Sequence, residues 1–380
     1  MTQHEGQRND IGDIFYAHIC CNPRAGSYIA DVIVIIKNRH RYNNMEKYDT
    51  IIVGAGPAGL RAARVLAEAG RYTLILEKNR TIGQTICAGG LTIGDMDFVP
   101  KNIVDAEFNY MLLHTAKGSY DVDLGSHPVF TVDREKLGQW MAKETEKAGA
   151  LIKTARCVSA VDGNHIIVNG EKIGFDHLVG ADGSNSIVRR SLDIPVNKTV
   201  IGIQYISKTL RKDLEVFVDD FRYILKYSWI FPHRGFTSIG IGGMTGNGAL
   251  MRRSLDELCD RLSIERTRFE AARINIDYKG FVFKNRFLAG DAAGFASGLT
   301  GEGIYQAILS GEEVARGILN KNYAYPGIKH LLKMKNNQEK LLRIFSINRC
   351  VPHVVFNNFV PLLLKRRNLC VMINNKYGIV

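Results

Sequence analysis

Several features are absent from this 380-residue sequence, and each absence excludes a class of protein or of site. No C-x-x-C pair occurs, which argues against iron–sulfur or zinc ligation and against a disulfide framework, so no metal site is expected. No run of about 18 apolar residues occurs, so no segment is expected to span a bilayer. The cysteines are scattered at Cys20, Cys21, Cys87, Cys157, Cys259, Cys350 and Cys370.

Acidic residues are nearly missing from the last sixty positions. Eleven Lys or Arg stand there against the single acid Glu339, so this tail carries +10 of the formal net charge of +12. The basic residues alternate with apolar ones in Ile328–Ile347 and Pro361–Arg367, which favours an acidic membrane surface over nucleic acid. The alternative is a solvated helical face that covers the rest of the protein.

A strand, tight turn and helix are predicted from Tyr48 onwards. Ile51, Ile52 and Val53 suit a strand buried on both faces, and Gly54, Gly56 and Gly59 follow in the G-x-G-x-x-G spacing. The first glycine permits the turn, the second lets the backbone approach a pyrophosphate, and the third lets the helix pack closely on the strand. Pro57 and Ala58 open the helix, whose N-terminus faces the phosphates.

A second strand, Tyr72–Leu76, ends at Glu77, 23 residues after Gly54. An acid at this distance binds ribose hydroxyls, so the segment predicts a dinucleotide site. Only one such fingerprint occurs in the chain.

Further elements are expected on both sides of an inserted segment. In the first part they are a helix from Asp133-Arg134 to Gly149, a strand Ala155–Val161, a hairpin Asn164–Phe175 and a strand His177–Asp182. The inserted segment predicts antiparallel strands at Thr199–Lys208, Leu214–Asp219, Phe221–Phe231 and Phe236–Gly243, a helix Ala249–Ser263 and a strand Ile274–Phe283. The chain then returns through a strand Phe287–Asp291 and a helix from Ile304 to about Leu319.

We therefore expect an α/β protein with a discontinuous Rossmann-like domain. Residues 45–195 and 281–325 would form that domain, residues 196–280 an antiparallel substrate domain, and residues 326–380 a helical segment. Residues 1–44, including an apolar stretch Tyr28–Ile36, are interpreted as an extension outside the core.

Three motifs stand in the order found in the para-hydroxybenzoate hydroxylase type of FAD protein. GAGPAG with Glu77 resembles its ADP-binding fingerprint, Asp182-Gly183 with Ser186 and Arg189 resembles its D-G-x-x-S-x-x-R motif, and Gly290-Asp291 resembles its G-D motif. Arg134 matches an arginine that reaches toward the flavin. The resemblance implies FAD as the cofactor.

A narrower resemblance is to the geranylgeranyl reductase family. Tyr227–Pro232 followed by Gly240-Ile241-Gly242 is similar to its Y-x-W-x-F-P and G-x-G pattern, and Cys87–Leu91 resembles its C-G-G-G segment. The sequence departs from the family at Ala88, which replaces a glycine, and at Gly298, which replaces a proline.

These resemblances imply a set of site residues. The substrate would contact Tyr227, Trp229, Phe231 and Pro232. The alternation of side chains along a strand places the first three on one face. Cys87 could donate a proton, pair with another cysteine or fill an apolar gap. The expected FAD-binding residues are Gly54, Gly56, Pro57, Ala58, Gly59, Glu77, Lys78, Cys87, Ala88, Gly89, Arg134, Val158, Asp182, Gly183, Asp291, Ala292, Gly294, Gly301, Gly303 and Ile304.

The expected activity is an FAD-dependent reduction of isoprenoid C=C bonds in a prenylated lipid or prenyl diphosphate, on the inner face of the cell membrane. Electrons would come from NAD(P)H or a ferredoxin-type donor. Two other readings are an FAD-dependent monooxygenase of an aromatic or quinone and a flavoprotein that only carries electrons.

Overall fold

The computed structural model describes residues 46–218, 226–244 and 248–347, together with residues 355 and 358. The predictions for residues 1–44 and for Pro361–Arg367 lie outside the described residues. The strands are β1 (Lys47–Val53), β2 (Thr73–Leu76), β3 (Gly90–Leu91), β4 (Ala106–Phe108), β5 (Tyr110–Thr115), β6 (Gly118–Asp123), β7 (Val129–Thr131), β8 (Leu151–Lys153), β9 (Val158–Asp162), β10 (His165–Val168), β11 (Glu171–Gly180), β12 (Thr199–Ser207), β13 (Glu215–Phe217), β14 (Lys226–Pro232), β15 (Thr237–Met244), β16 (Arg268–Asn275), β17 (Val282–Phe283) and β18 (Arg286–Leu288). The helices are α1 (Pro57–Glu68), α2 (Arg134–Lys147), α3 (Ile187–Arg190), α4 (Gly248–Arg261), α5 (Ile304–Leu319) and α6 (Pro326–Ile347).

An eight-stranded sheet contains the first strand at its centre. Its order is β17-β18-β11-β1-β2-β8, with β9 and β10 attached through β11. The pairs β1–β2, β2–β8 and β11–β18 are parallel. Ile52 packs in a core with Leu60 of α1 and Val314 of α5, and Ile51 packs in another core with Phe175. The two-sided burial confirms the predicted Rossmann-like unit.

A second sheet of seven strands has the order β16-β12-β15-β14-β13-β5-β6. All its pairs are antiparallel except β13–β5. Ile230 and Ile239 pack against Leu255 and Leu258 of α4, which covers one face of the sheet. The predicted antiparallel sheet is therefore present, and β5 and β6, which no sequence pattern had indicated, extend it.

Two strand predictions were wrong in position. The strand expected at Ile274–Phe283 is β16, Arg268–Asn275, which pairs with β12 at the sheet edge. Its alternating charged residues leave one side exposed, so apolar content did not mark it. The strand expected at Ala155–Val161 begins at Val158, because Ala155 has a φ of 52° and turns the chain after β8.

The C-terminal helix α6 packs on the first unit. The buried carboxylate of Glu313 accepts hydrogen bonds from the backbone N–H groups of Gly327 and Ile328 at 2.8 and 3.2 Å, which satisfies the first turn of α6. Nζ of the buried Lys335 donates to the carbonyl oxygen of Ala296 at 3.0 Å. Among the described residues, no helix combines the length and apolar character needed to cross a bilayer.

Candidate active site

The glycine-rich turn lies between β1 and α1. Gly54 has a φ of 101° and donates its N–H to the carbonyl of Leu76 at 2.8 Å, while a Cβ there would collide with the backbone of Ala181. Gly56 is the residue before α1 and Pro57 is the first residue of the helix, whose N-terminus has no side-chain cap. Ala58 and Gly59 are buried behind it. The free N–H groups of the first turn therefore remain for a ligand.

Glu77 lies beside this turn at the end of β2. Its Oε2 accepts the backbone N–H of Ala55 at 2.8 Å and its Oε1 accepts that of Asn79 at 2.9 Å, and the residue is 9% exposed. Lys78 is exposed, and the side chain of Val158 is buried in the core. Of these three predicted cofactor residues, the structure brings the Glu77 carboxylate to the turn.

Asp182 forms the second motif, directly after β11. Its Oδ2 accepts the backbone N–H of Ile187 at 2.6 Å, whereas Oδ1 is buried without a hydrogen-bond partner among the described residues. Burial raises the pKa of Asp182, and hydrogen bonds from Ser186 and Ile187 oppose that effect. At Gly183, with a φ of 74°, a Cβ would meet no atom within 4 Å, so the space beside the motif is open.

Arg189 joins the second motif to the third. The side chain is 1% exposed and donates to the carbonyl oxygens of Ala292 at 3.2 Å, Asp277 at 2.8 Å and Pro195 at 3.0 Å. Ser186 accepts the N–H of Arg189 at 2.9 Å and starts the short helix α3. The serine and arginine of this motif therefore hold the backbone rather than a ligand.

Asp291 belongs to the third motif, in a 3-10 helix spanning Gly290–Ala292. Its Oδ2 accepts from Oγ of Ser184 at 3.2 Å, which links it to the Asp182 segment. Burial raises the pKa of Asp291 to about 6, although Ser184 and the charge of Lys335 lower it. Gly303 precedes α5, and a Cβ there would lie 3.5 Å from Oδ1 of Asp291.

The remaining predicted residues of this region lie around that carboxylate. Ala292 is buried, and Gly294 packs with a φ of 83° against the backbone of Asp277. Gly301 and Ile304 flank Gly303 at the start of α5. The third motif and the N-terminus of α5 therefore form one continuous loop.

Two buried polar groups test whether a dinucleotide fits. Arg134 is the first residue of α2 and is 9% exposed, yet its Nη1 has no hydrogen-bond partner in the described part of the chain. Oδ1 of Asp182 is likewise unsatisfied. Buried polar atoms rarely remain without partners. A phosphate-bearing cofactor with polar ring edges suits these groups, which are a cationic donor, a carboxylate acceptor and the open helix N-terminus at Gly56.

The aromatic side chains of β14 form a continuous row. The ring centroids of Tyr227 and Trp229 are 5.8 Å apart, and those of Trp229 and Phe231 are 6.5 Å apart. The hydroxyl of Tyr227 donates to the carbonyl oxygen of Thr300 in the loop before α5. Burial raises the pKa of Tyr227, and the proximity of the Cys87 thiol and the Glu302 carboxyl group raises it further.

Small residues on neighbouring segments make room for this row. The indole of Trp229 lies directly over Gly240 of β15, where any Cβ would overlap it, and a Cβ at Gly90 would lie 2.5 Å from the ring of Phe231. We define the aromatic wall as Tyr227, Trp229 and Phe231. It reaches from Gly90, beside Cys87, to the loop at Thr300. Pro232 follows it and accepts a hydrogen bond from Oγ1 of Thr131 at 2.6 Å.

Cys87 is half-buried on the glycine-rich loop, and its Sγ accepts the N–H of Gly89 at 3.4 Å. The free cysteines of the described chain are Cys87, the exposed Cys157 and the buried Cys259. The two departures from the family lie at different places: Ala88 stands next to Cys87, whereas a Cβ at Gly298 would lie 2.9 Å from Cδ1 of Ile276.

His233 fixes the Cys87 loop and was not singled out from the sequence. Its Nε2 lies 2.9 Å from the carbonyl oxygen of Ala88, and its Nδ1 lies 3.1 Å from Oδ2 of Asp105. Burial alone would raise the pKa of Asp105, but the hydrogen bond and charge of His233 and the charge of Lys136 outweigh it and lower that pKa. The position of His233 directly after the F-P pair was the signal available.

Gln204 joins the same loop to the aromatic wall. Its Nε2 donates to the carbonyl oxygen of Cys87 at 3.2 Å, and its Oε1 accepts from Oγ of Ser238 at 2.9 Å. That hydroxyl oxygen accepts Nε1–H of Trp229 at 3.1 Å. The chain of hydrogen bonds is buried, so the orientation of the indole depends on the position of the Cys87 backbone.

A family model described as an FAD binding domain matches residues 47–275. The chain belongs to this FAD-binding family. The prediction of an FAD-dependent oxidoreductase is thereby confirmed, with the cofactor that the unsatisfied Arg134 and Asp182 atoms suit.

Similar proteins have related names. The chain is 28% identical over 299 residues to a geranylgeranyl diphosphate reductase of Rhodobacter capsulatus, covering 72% of this chain and 75% of that protein. It is 26% identical over 355 residues to a digeranylgeranylglycerophospholipid reductase of Thermoplasma volcanium, covering 79% and 84%. These relatives confirm the resemblance to the geranylgeranyl reductases.

Solved structures show the same fold. A geranylgeranyl bacteriochlorophyll reductase-like protein from Thermoplasma acidophilum has a TM-score of 0.73 at 19% identity, covering 88% of this chain and 98% of that one. The flavin-dependent brominase Bmp2 has a TM-score of 0.67 at 16% identity, covering 87% and 93%. Proteins with different names therefore share this architecture, so the reaction depends on the site.

Proposed function

We propose that this FAD-dependent enzyme saturates isoprenoid C=C bonds, with the geranylgeranyl chains of a membrane lipid as its substrate. The observation that carries the proposal is the aromatic wall, which joins the Cys87 loop at Gly90 to the loop at Thr300. The names of the relatives, geranylgeranyl diphosphate reductase and digeranylgeranylglycerophospholipid reductase, support the same substrate class.

The aromatic wall suits a substrate with no polar handle. An isolated alkene has no carbonyl group to polarise, so its saturation depends on holding one carbon against a hydride donor and the other near a proton. Trp229 and Phe231 supply flat apolar surface, and Gln204 and Ser238 keep the indole in one orientation. Bound FAD, once reduced, supplies the hydride.

The chain's own residues would divide the cofactor between the three motifs. We assign the pyrophosphate to Gly56 and the first turn of α1, the ribose to Glu77, and the flavin end to Arg134. We assign the ribityl chain to Asp291 and the edge of the flavin ring to the Gly301–Gly303 loop. Asp182 Oδ1 and Arg134 Nη1 would gain the partners they lack among the described residues.

We further propose that an acidic membrane surface supplies the substrate. Four exposed basic residues of α6 follow one another at spacings of four, seven and three residues, which places them on one face of the helix. They are Lys329, Lys333, Lys340 and Arg343. Ile328, Leu331 and Leu342 are buried on the opposite face. A prenyl chain that leaves a bilayer gains almost no hydrophobic free energy, so a short transfer path helps.

Mass spectrometry of prenyl lipids tests the function. Dithionite-reduced protein incubated without oxygen with a digeranylgeranyl phospholipid should add two hydrogens for each double bond saturated. Trp229→Ala should lower the yield at least tenfold while FAD stays bound, and Tyr110→Ala, a change at an exposed aromatic, serves as the control. Unchanged lipid together with NAD(P)H- and oxygen-dependent hydroxylation of an aromatic compound would contradict the proposal.

A further inference from the structure

A buried carboxyl group and a half-buried one lie between the Cys87 segment and the loop before α5. Asp95 is 0% exposed and is the third residue of the 3-10 helix Ile93–Asp97 after β3, and Glu302 stands between Gly301 and Gly303. Thr92 bridges them: its Oγ1 is 3.0 Å from Oδ2 of Asp95 and 3.3 Å from Oε1 of Glu302. The two acids therefore share one hydroxyl group.

The hydrogen-bond geometry at Thr92 favours a proton on the pair. A threonine hydroxyl has one hydrogen, so it can make a strong hydrogen bond to only one of the two carboxylates. If both acids were ionised, lone pairs of Oγ1 would face lone pairs of the other carboxylate. The backbone N–H of Thr92 already donates to Oδ2 of Asp95 at 2.8 Å. The consistent arrangement is Glu302 O–H donating to Thr92 Oγ1, whose hydroxyl donates to Asp95.

The surrounding polar atoms indicate that the pair faces a ligand. Five buried side-chain polar atoms lack a partner in the described chain, and three of them belong to this group: Oδ1 of Asp95, Nη1 of Arg134 and Oε1 of Gln306. Arg134 is close enough for its charge to act on Asp95, and Gln306 hydrogen-bonds Glu302. Unsatisfied donors and acceptors around one carboxyl pair suit a polar group brought by the cofactor.

Electrostatics agrees with this geometry. Burial, with a smaller contribution from the charge of Glu302, raises the pKa of Asp95 to about 7, while Thr92 and Arg134 oppose the rise. Burial likewise raises the pKa of Glu302, against the hydrogen bonds that Gln306 and Thr92 would donate to its ionised form. The other titratable groups that interact with these two acids are Tyr227, Tyr305 and, next to Tyr305, Asp97. Two strongly coupled acids titrate as a pair, so the proton belongs to both.

We propose that Asp95, Thr92 and Glu302 form a proton relay that supplies the proton consumed when the double bond is saturated. The inference rests on the proposed function. When bound and reduced, the flavin would supply a hydride to one alkene carbon and become oxidised, and the relay would give a proton to the other carbon. Two C–H bonds form, the C=C π bond is lost, and the relay regains its proton from water. A NAD(P)H or ferredoxin-type donor restores the reduced flavin.

Infrared spectroscopy of the FAD-loaded chain tests the shared proton without any substrate. Between about pH 5 and about pH 9, wild type should show a protonated-carboxyl band that disappears near neutrality. Asp97→Asn, a change on the same turn but at an exposed acid, should keep the band. Asp291 also has a pKa of about 6 and gives a band of its own, so the spectrum of each variant is subtracted from that of wild type. For Asp95→Asn and for Glu302→Gln this difference should contain a carboxyl band that titrates near neutrality, and its absence for either variant overturns the proposal.

Single-turnover oxidation of the reduced protein by a geranylgeranyl chain tests delivery. The rate should fall about tenfold per pH unit above the midpoint of the infrared band. Thr92→Val should slow turnover at least tenfold and flatten this profile at unchanged FAD affinity, whereas Thr92→Ser should restore both. A Thr92→Val profile parallel to wild type overturns the relay. If wild type saturates no prenyl chain, the proposed function and the delivery step fail, while the infrared band still reports the shared proton.

Discussion

His233 shows how one side chain fixes a loop that no regular element supports. Both of its ring nitrogens face acceptors, the carbonyl of Ala88 and the carboxylate of Asp105, and the ring stacks on Phe236 at 4.2 Å. The Cys87 loop has little secondary structure of its own before β3. Its conformation therefore depends on this histidine and on Gln204.

We expect His233→Phe to destabilise the protein and weaken FAD binding. The substitution keeps a ring of similar size but removes the hydrogen bonds of His233 to the Ala88 carbonyl and to the Asp105 carboxylate, which retains Lys136 at 3.8 Å. This loss costs on the order of 3 kcal/mol. Urea unfolding and FAD titration measure the two effects. His233→Gln, which retains an amide donor, should recover part of both, and equal losses in the two variants would contradict this role.

Asp291 should make stability depend on pH. Its pKa rises from 3.8 to about 6 in the folded protein, mainly through burial. Because the folded pKa is the higher one, the contribution is fully present below about pH 4 and is lost as pH rises through about 6. Asp291→Asn should therefore reduce the fall in unfolding free energy across that window by roughly 2 kcal/mol.

Urea midpoints of the apoprotein at several pH values check this expectation. Asp121→Asn removes an exposed acid and is the matched control. The same pH dependence in wild type and Asp291→Asn would show that the titration of other groups governs stability in this range.

At the scale of elements, β14 and β15 pack closely because glycines beneath Trp229 place no side chain there. Gly240 and Gly202 both lie under Trp229, but a Cβ at Gly240 would overlap the indole, whereas one at Gly202 would lie 3.9 Å from it. Gly240→Ala should displace the indole, cost about 1–3 kcal/mol of stability and reduce prenyl turnover. Gly202→Ala should leave both close to wild type. Trp fluorescence and unfolding curves distinguish the pair, and equal behaviour would contradict this packing.

The basic face of α6 makes a second prediction at this scale. Replacing Lys329, Lys333, Lys340 and Arg343 with Gln should weaken binding to acidic vesicles by about 1 kcal/mol per residue removed. Exposed lysines away from α6, Lys101 and Lys172, give matched control substitutions. Co-sedimentation with acidic and neutral vesicles measures the effect. Equal binding to acidic and neutral vesicles would contradict the proposal and would support the alternative, in which α6 is a solvated helical face that covers the rest of the protein.

At the scale of the whole molecule, regular periodicity predicted most of the architecture. The helix at Ile304–Leu319 and the turn at Asn169 and Gly170, both with positive φ, follow directly from local chemistry. The edge strand β16 did not, because its pairing with β12 is a tertiary contact that its charged sequence does not signal. The division at residues 195 and 280 stays a prediction, and strands β5 and β6 of the first segment pair into the second sheet.

The candidate site divides in the same way. Gly54, Glu77, Asp182 and Asp291 could be found because each lies at a fixed offset within a short motif. Residues such as His233 and Asp95 could not, because their roles come from partners 145 and 207 positions away, Ala88 and Glu302. Long-range pairing of buried polar groups leaves no periodic trace in the sequence.

The central claim is that electrons held by this protein pass to an isoprenoid double bond. The direct measurement is the return of oxidised-flavin absorbance when the reduced protein is mixed, without oxygen, with a geranylgeranyl chain. We predict that absorbance returns with the unsaturated chain and stays absent with its fully saturated analogue. Return of the absorbance only when oxygen is admitted would contradict the claim.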